Sequence, residues 1–126
     1  MPGVLIIEDD NELREMLKAA LSRIDIEVQE ASNGREALKQ FKPNVTDLVV
    51  TDVIMPEEDG LKVIMKMKEL KPGIKIIAIS GGGKAGPGSY LQMAKTLGAD
   101  RVFSKPFSVS DLISEVSSLL RLEQND

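Results

Sequence analysis

The 126-residue sequence contains no cysteine, so neither a disulfide framework nor a thiolate metal site is available to it. It contains no histidine either, which removes the commonest general base and the commonest metal ligand. A basic excess is also missing: 16 Lys and Arg stand against 20 Asp and Glu, a net charge of −4. A sequence-independent grip on nucleic acid needs a basic stripe, so no direct nucleic-acid partner is expected. Long apolar runs are absent as well. The longest are four residues, VLII at 4–7 and IIAI at 76–79. A membrane span needs about 20 and the core of a signal peptide about 7–15. The expectation is a soluble, cytoplasmic chain with no membrane partner.

What is present is a 42% hydrophobic content and a regular alternation of patterns. One domain spanning 1–126 is expected from the length. Val4–Ile7 is wholly apolar and reads as a strand buried on both faces. NELREMLKAALSRI follows, with Leu13, Met16, Leu17, Ala20, Leu21 and Ile24 on one helical face and Asn11 as N-cap. IEVQE at 26–30 alternates, as a half-exposed edge strand does. Ala37, Leu38 and Phe41 share a second helical face, which Pro43 ends. Leu48–Val50 is a second buried strand running into Thr51–Asp52. Leu61–Leu70 reads as a helix that stops before Pro72–Gly73, and Ile74–Ile79 as a third buried strand. Tyr90–Leu97 reads as a helix closed by Gly98. Val102–Phe103 sits in a short fifth strand. Ser108 opens a last helix, with Val109, Leu112, Ile113, Val116, Leu119 and Leu120 inward. Five βα units in a row imply an α/β, doubly wound, five-stranded parallel sheet with right-handed crossovers. The alternating second strand belongs at an edge, which fits the order 2-1-3-4-5 of a flavodoxin-like three-layer sandwich.

In such folds ligands bind beyond the carboxyl ends of the strands. Glu8, Asp9 and Asp10 end the first strand, Asp52 the third, Ser80 the fourth, and Ser104–Lys105 the fifth. Each has an ordinary reading: helix cap for Asp9, turn acid for Asp52, turn hydroxyl for Ser80, solvated loop lysine for Lys105. Their convergence on one rim outweighs those readings. An all-oxygen set points to a hard cation, Mg²⁺ or Mn²⁺, and not to Zn²⁺. Glu8, Asp9 and Asp52 need positive charge between them to remain ionised together. Asp10 is expected to point outward at the start of the first helix, where the helix dipole favours an anion.

VLIIEDDNELR, DLVVTDVIMPEEDG, IIAIS and GADRVFSKPF, taken in order, resemble the signatures of response-regulator receiver domains nearly end to end. The D-x-x-M-P-x-x-D-G pattern from Asp52 to Gly60 and the Lys105-Pro106-Phe107 triplet carry most of the specificity. The resemblance implies a phosphorylation switch of a two-component phosphorelay, not an enzyme beyond catalysing its own phosphorylation and dephosphorylation. It implies Asp52 as phosphoacceptor and a histidine kinase or phosphotransfer protein as donor. It gives Mg²⁺ to Asp9 and Asp52 directly, to Glu8 through water, and to the backbone carbonyl of Ile54. Lys105 would pair with phosphoryl oxygens, Ser80 would donate a hydrogen bond to one, and Lys105–Pro106 would be cis. A downstream protein would bind through helix four, strand five and helix five. No output domain is expected in the sequence.

The sequence departs from the family in places. Val102 stands where a switch aromatic is common, and Phe103 beside it would face the opposite way. Ser80 replaces a common threonine. The stretch after it is long and contains GGGKAGPG, whose glycines should make the loop mobile. In the family, the positions two after the phosphoacceptor and two after the hydroxyl residue flank the path of the hydrolytic water. Here the resemblance puts Ile54 and Gly82 there, and neither side chain can hold a water, so slow loss of phosphate is expected. Two other readings compete. Gly81 to Gly86 is a literal G-x-G-x-x-G followed by Asp100, as in a dinucleotide site. It sits in the wrong βα turn, however, and Pro87–Gly88 should break the helix start. An aspartate-nucleophile phosphatase would share the Mg²⁺ site, but it needs a general acid two residues after Asp52, where Ile54 stands.

Overall fold

The computed structural model describes residues 1–53, 60–81 and 87–121. Five strands, β1 (Gly3–Ile7), β2 (Glu27–Ala31), β3 (Thr46–Asp52), β4 (Lys75–Ser80) and β5 (Arg101–Ser104), alternate with five helices. The helices are α1 (Asn11–Leu21), α2 (Gly34–Gln40), α3 (Gly60–Leu70), α4 (Pro87–Thr96) and α5 (Val109–Leu120). The strands form one parallel sheet in the order β2-β1-β3-β4-β5, as the edge character of β2 predicts.

Alternate side chains along the strands sort into two cores. Leu5, Ile7, Val49, Ile76 and Ala78 face α2, α3 and α4, where Ala37, Phe41, Val63, Ile64, Met67, Leu91 and Ala94 meet them. Val4, Ile6, Leu48, Val50, Ile77 and Ile79 face α1 and α5, packing on Leu17, Leu21, Leu112 and Val116. Each of the larger side chains among them contributes about 1.5–3 kcal/mol on burial. Both faces of β1, β3 and β4 are covered, which is why those strands are continuously apolar.

Several local expectations need correction. Asp10, not Asn11, caps α1: its Oδ1 accepts from the amides of Glu12 and Leu13 at 3.0 and 3.2 Å. That is consistent with its outward position at the positive end of the helix dipole. Met16 does not join the inner face but is 46% exposed. The helix α4 begins at Pro87, three residues earlier than its apolar pattern indicates. Proline has no amide hydrogen, but the first turn of a helix has no use for one, so Pro87 starts the helix and does not break it. The expected helix start at Ser108 is in place, Asn33 caps α2 by accepting from the Glu36 amide, and Gly98 closes α4 with φ of 120°.

Candidate functional site

The switch point of the sheet lies between β1 and β3, from which the chain continues to β2 on one side and to β4 on the other. The carboxyl ends of β1, β3, β4 and β5 bring Glu8, Asp52, Ser80 and Lys105 together. Glu8 and Asp52 are almost wholly buried. Asp9, on the turn after β1, is exposed. One oxygen from each of Glu8, Asp9 and Asp52 lies within 4.8 Å of the others, a spacing that can share one cation. The donor set is carboxylate throughout, which suits a hard divalent ion such as Mg²⁺.

Lys105 supplies positive charge to the cluster. Its Nζ lies 2.8 Å from Asp52 Oδ2 and 3.2 Å from Glu8 Oε1. Burial would lower the pKa of this lysine, but the hydrogen bond and charge of Asp52, together with Glu8, override it and raise the value. Glu8 shows the cost of crowding. Its burial first, and then the charge of Asp52, push its pKa from 4.5 to about 7, against the opposing pull of the Asp10 amide and Lys105. A carboxyl poised in this way has room for a further cation, so the residues present fit the implied metal.

Ser80 Oγ is buried and has no hydrogen-bond partner among the described residues. A buried hydroxyl left unpaired costs about 1–3 kcal/mol, and such groups mark sites that a ligand completes. The Lys105 amide donates to the Ser80 carbonyl at 2.9 Å, continuing the β4–β5 ladder and fixing where the lysine departs. Lys105–Pro106 is cis, as expected. Ile54, Gly82 and Gly86 lie outside the described residues, as does most of the glycine-rich loop.

Two residues at the rim escaped the sequence reading. Arg14 donates to the Glu8 carbonyl at 2.8 Å, to Asn11 Oδ1, and to Glu30 Oε1 at 3.1 Å, clamping the turn that carries Glu8 and Asp9. Its signal was one arginine in the helix that begins directly after the acids. Gly81 was read as part of the glycine-rich loop and as the first glycine of the competing dinucleotide motif, not as a neighbour of Lys105. A Cβ there would lie 2.6 Å from Lys105 Cδ, so its bareness makes room for the lysine stem. Asp100, the acid of the dinucleotide reading, is committed elsewhere: its Oδ2 accepts from the Ile76 amide at 2.8 Å. Val102 and Phe103 do face opposite cores, and Phe103 stacks on Phe107 with ring centroids 5.8 Å apart.

A family model described as response regulator receiver domain matches residues 4–117. Among curated proteins, the response regulator receiver protein CpdR of Brucella abortus is 31% identical over 125 residues, covering 95% of this chain and 98% of the relative. The transcriptional regulatory protein SrrA of Staphylococcus aureus is 33% identical over 122 residues, covering 97% of this chain but 49% of the relative. The chain thus spans about half of that regulator's length. Among solved structures, a receiver domain protein from Clostridium thermocellum superposes with a TM-score of 0.86 at 25% identity, covering 98% of each chain. The response regulator TrrA of Thermotoga maritima, solved in complex with Mg²⁺-BeF, superposes with a TM-score of 0.80 at 32% identity, covering 94% of this chain and 99% of that one. With its sheet order and its acidic rim, the chain belongs to the response regulator receiver domain family, the phosphoacceptor switches of two-component signalling.

Proposed function

We propose that Asp52 is the phosphoacceptor of this receiver domain and that Glu8, Asp9, Ser80 and Lys105 serve its chemistry. The observation that carries this reading is the Asp52 carboxylate at the switch point, buried, with one oxygen on Lys105 Nζ at 2.8 Å and two further acids within reach of a shared cation. The donor is a phosphohistidine on a histidine kinase or phosphotransfer protein. An Asp52 oxygen attacks phosphorus, the P–N bond breaks, the imidazole leaves with the bonding pair and takes up a proton, and an acyl phosphate remains. Phosphoryl transfer asks for alignment and neutralised oxygens more than for covalent machinery. Lys105 is placed to turn from the Asp52 carboxylate to a phosphoryl oxygen, and the unpaired Ser80 hydroxyl to donate to another. Asp9 and Asp52, the Ile54 carbonyl, and Glu8 through water would hold Mg²⁺, which supplies charge neutralisation during transfer.

On this reading the protein catalyses only the gain and loss of its own phosphoryl group. It works in the cytoplasm and acts through a downstream protein. The α4–β5–α5 face is the proposed contact, with Val102 in place of an aromatic reporter. No helix among the described residues is long and apolar enough to cross a membrane. Borohydride reduction after exposure to a small acyl phosphodonor tests the acceptor directly. Hydride converts an acyl phosphate to an alcohol, so peptide mass mapping should find homoserine at position 52. Homoserine at another aspartate, with Asp52 intact, would reject the assignment.

A further inference from the structure

We propose that Arg14 is a positioning residue for Mg²⁺: its guanidinium ties the Glu8–Asp9 peptide to β2 and so holds two of the metal's carboxylates in place before the ion arrives. The proposal rests on the reading of Glu8, Asp9 and Asp52 as the Mg²⁺ site. Arg14 stands one turn into α1, where the positive end of the helix dipole offers a cation nothing. Side chains on a helix lean toward its N-terminus, so this one reaches back to the turn that carries the acids. Nη1 donates to the Glu8 carbonyl at 2.8 Å, Nη2 to Asn11 Oδ1 at 2.6 Å and Nε to Glu30 Oε1 at 3.1 Å. Acceptors on three separate residues use the planar fork of a guanidinium, which a lysine ammonium lacks.

The anchor is the end of β2. Its last two residues, Glu30 and Ala31, hold both backbone groups of Glu8. The Ala31 carbonyl accepts from the Glu8 amide at 3.1 Å, and the Glu30 carboxylate holds the guanidinium that takes the Glu8 carbonyl. Lys18 Nζ takes the other Glu30 oxygen at 2.9 Å. Hydrogen bonds from Lys18 and then from Arg14 keep the Glu30 carboxyl below its ordinary pKa, so it stays ionised. The peptide between Glu8 and Asp9 is planar, so fixing its oxygen also fixes where Asp9 leaves the turn. That placement matters because Glu8, Asp9 and Asp52 bring oxygens within 4.8 Å of one another, and without a cation they repel. Glu8 is buried and Asp52 ends a buried strand; Asp9 is exposed and is the member that can retreat. After burial, the charges that move the Glu8 carboxyl are those of Asp52 and Lys105, so Arg14 works through the backbone and not as a counterion.

Isothermal calorimetry of Mg²⁺ titrated into the full chain, with no phosphodonor, reads the affinity. Phosphorylation by a small acyl phosphodonor at rising Mg²⁺ reads how the ion is used. Arg14→Met should weaken Mg²⁺ affinity about tenfold or more, as loss of a group that orients metal ligands does. The Mg²⁺ concentration for half-maximal phosphorylation should rise by the same factor, while the rate at saturating Mg²⁺ stays within about twofold. Arg14→Lys keeps the charge without the fork and should recover little of the loss. Glu30→Ala should weaken binding on its own and add nothing to Arg14→Met, since the two act through one chain of contacts. Lys18→Met removes a neighbouring ion pair without touching the turn, so its affinity should match wild type. Melting in chelator shows whether each variant is folded; if Arg14→Met is not, Arg14→Lys and Glu30→Ala decide. Wild-type affinity in Arg14→Met, full recovery by Arg14→Lys, additive losses with Glu30→Ala, or an equal loss in Lys18→Met would overturn the proposal. So would a lower saturating rate with unchanged Mg²⁺ affinity. Unchanged affinity in Arg14→Met, with wild type still binding Mg²⁺ and labelled at Asp52, sinks the role of Arg14 alone; wild type that binds no Mg²⁺ sinks the metal-site reading as well.

Discussion

Replacing Glu8 with Gln should stabilise the metal-free protein above neutral pH. In the folded chain the Glu8 carboxyl titrates at about 7 against an ordinary 4.5, because it is buried and faces Asp52. The folded state therefore holds this proton more tightly than the unfolded state, and stability falls as pH rises from about 4.5 through about 7. The full difference corresponds to about 3 kcal/mol, which solvent at the open rim reduces to about 2 kcal/mol. Glu8→Gln keeps the shape and an oxygen acceptor for the Asp10 amide but removes the charge. Lys105 retains Asp52 as its partner at 2.8 Å. At pH 8 in chelator the variant should melt about 8 °C above wild type. At pH 5, where the wild-type group is protonated, the two should nearly coincide. Saturating Mg²⁺ should erase or reverse the advantage, because the lost carboxylate then has a cation to serve. Calorimetric melting across pH 5–8.5, with and without Mg²⁺, measures all of this. A variant that melts at or below wild type at pH 8 in chelator would refute the crowded-acid account, as would a wild-type melting temperature that is flat over that range.

Four other substitutions test separate parts of the site. Ser80→Ala removes a buried hydroxyl that has no partner among the described residues, so unphosphorylated stability should hold or rise by about 1 kcal/mol while phosphorylation slows; a clear fall in melting temperature would mean the hydroxyl already has a structural partner. Lys105→Met should slow acyl phosphate formation about 10²-fold, since it removes the one side-chain cation touching Asp52 among the described residues, and stopped phosphorylation assays should show it. Unchanged rates would remove Lys105 from the chemistry. Ile54→Asn and Gly82→Glu should each speed loss of phosphate by giving the hydrolytic water a polar anchor, read as the decay of the phosphorylated mass. If both leave the decay unchanged or slow it, water orientation at these positions does not set the lifetime.

The fold was legible because its signals are binary. Buried strands such as VLII and IIAI carry no polar position, and β2 alternates, so layer count and edge strand follow, while the full order rested on the fit to flavodoxin-like sheets. The rim was legible for a related reason: acids, a serine and a lysine recur where apolar strands stop. What escaped notice depends on three-dimensional neighbours. Met16 fits the α1 period but lies beyond the reach of the sheet, beside Pro106 and Phe107. Asp10 displaced Asn11 as cap because both residue types cap equally well and only backbone geometry chooses between them. Arg14 looks like any exposed helix arginine until its guanidinium is seen to join the Glu8 carbonyl to Glu30. Lys105 was expected to supply charge, but its simultaneous contact with Glu8 and Asp52, and the bare Gly81 that lets its stem pass, could only be found in the structure.

The most direct test of the central claim is intact-mass spectrometry after incubation with a small acyl phosphodonor, comparing wild type with Asp52→Asn, each with Mg²⁺ and with chelator. The account predicts the added mass of one phosphoryl group on wild type with Mg²⁺, little or none in chelator, and none on Asp52→Asn under either condition. Full labelling of Asp52→Asn, or labelling of wild type that ignores Mg²⁺, would contradict it.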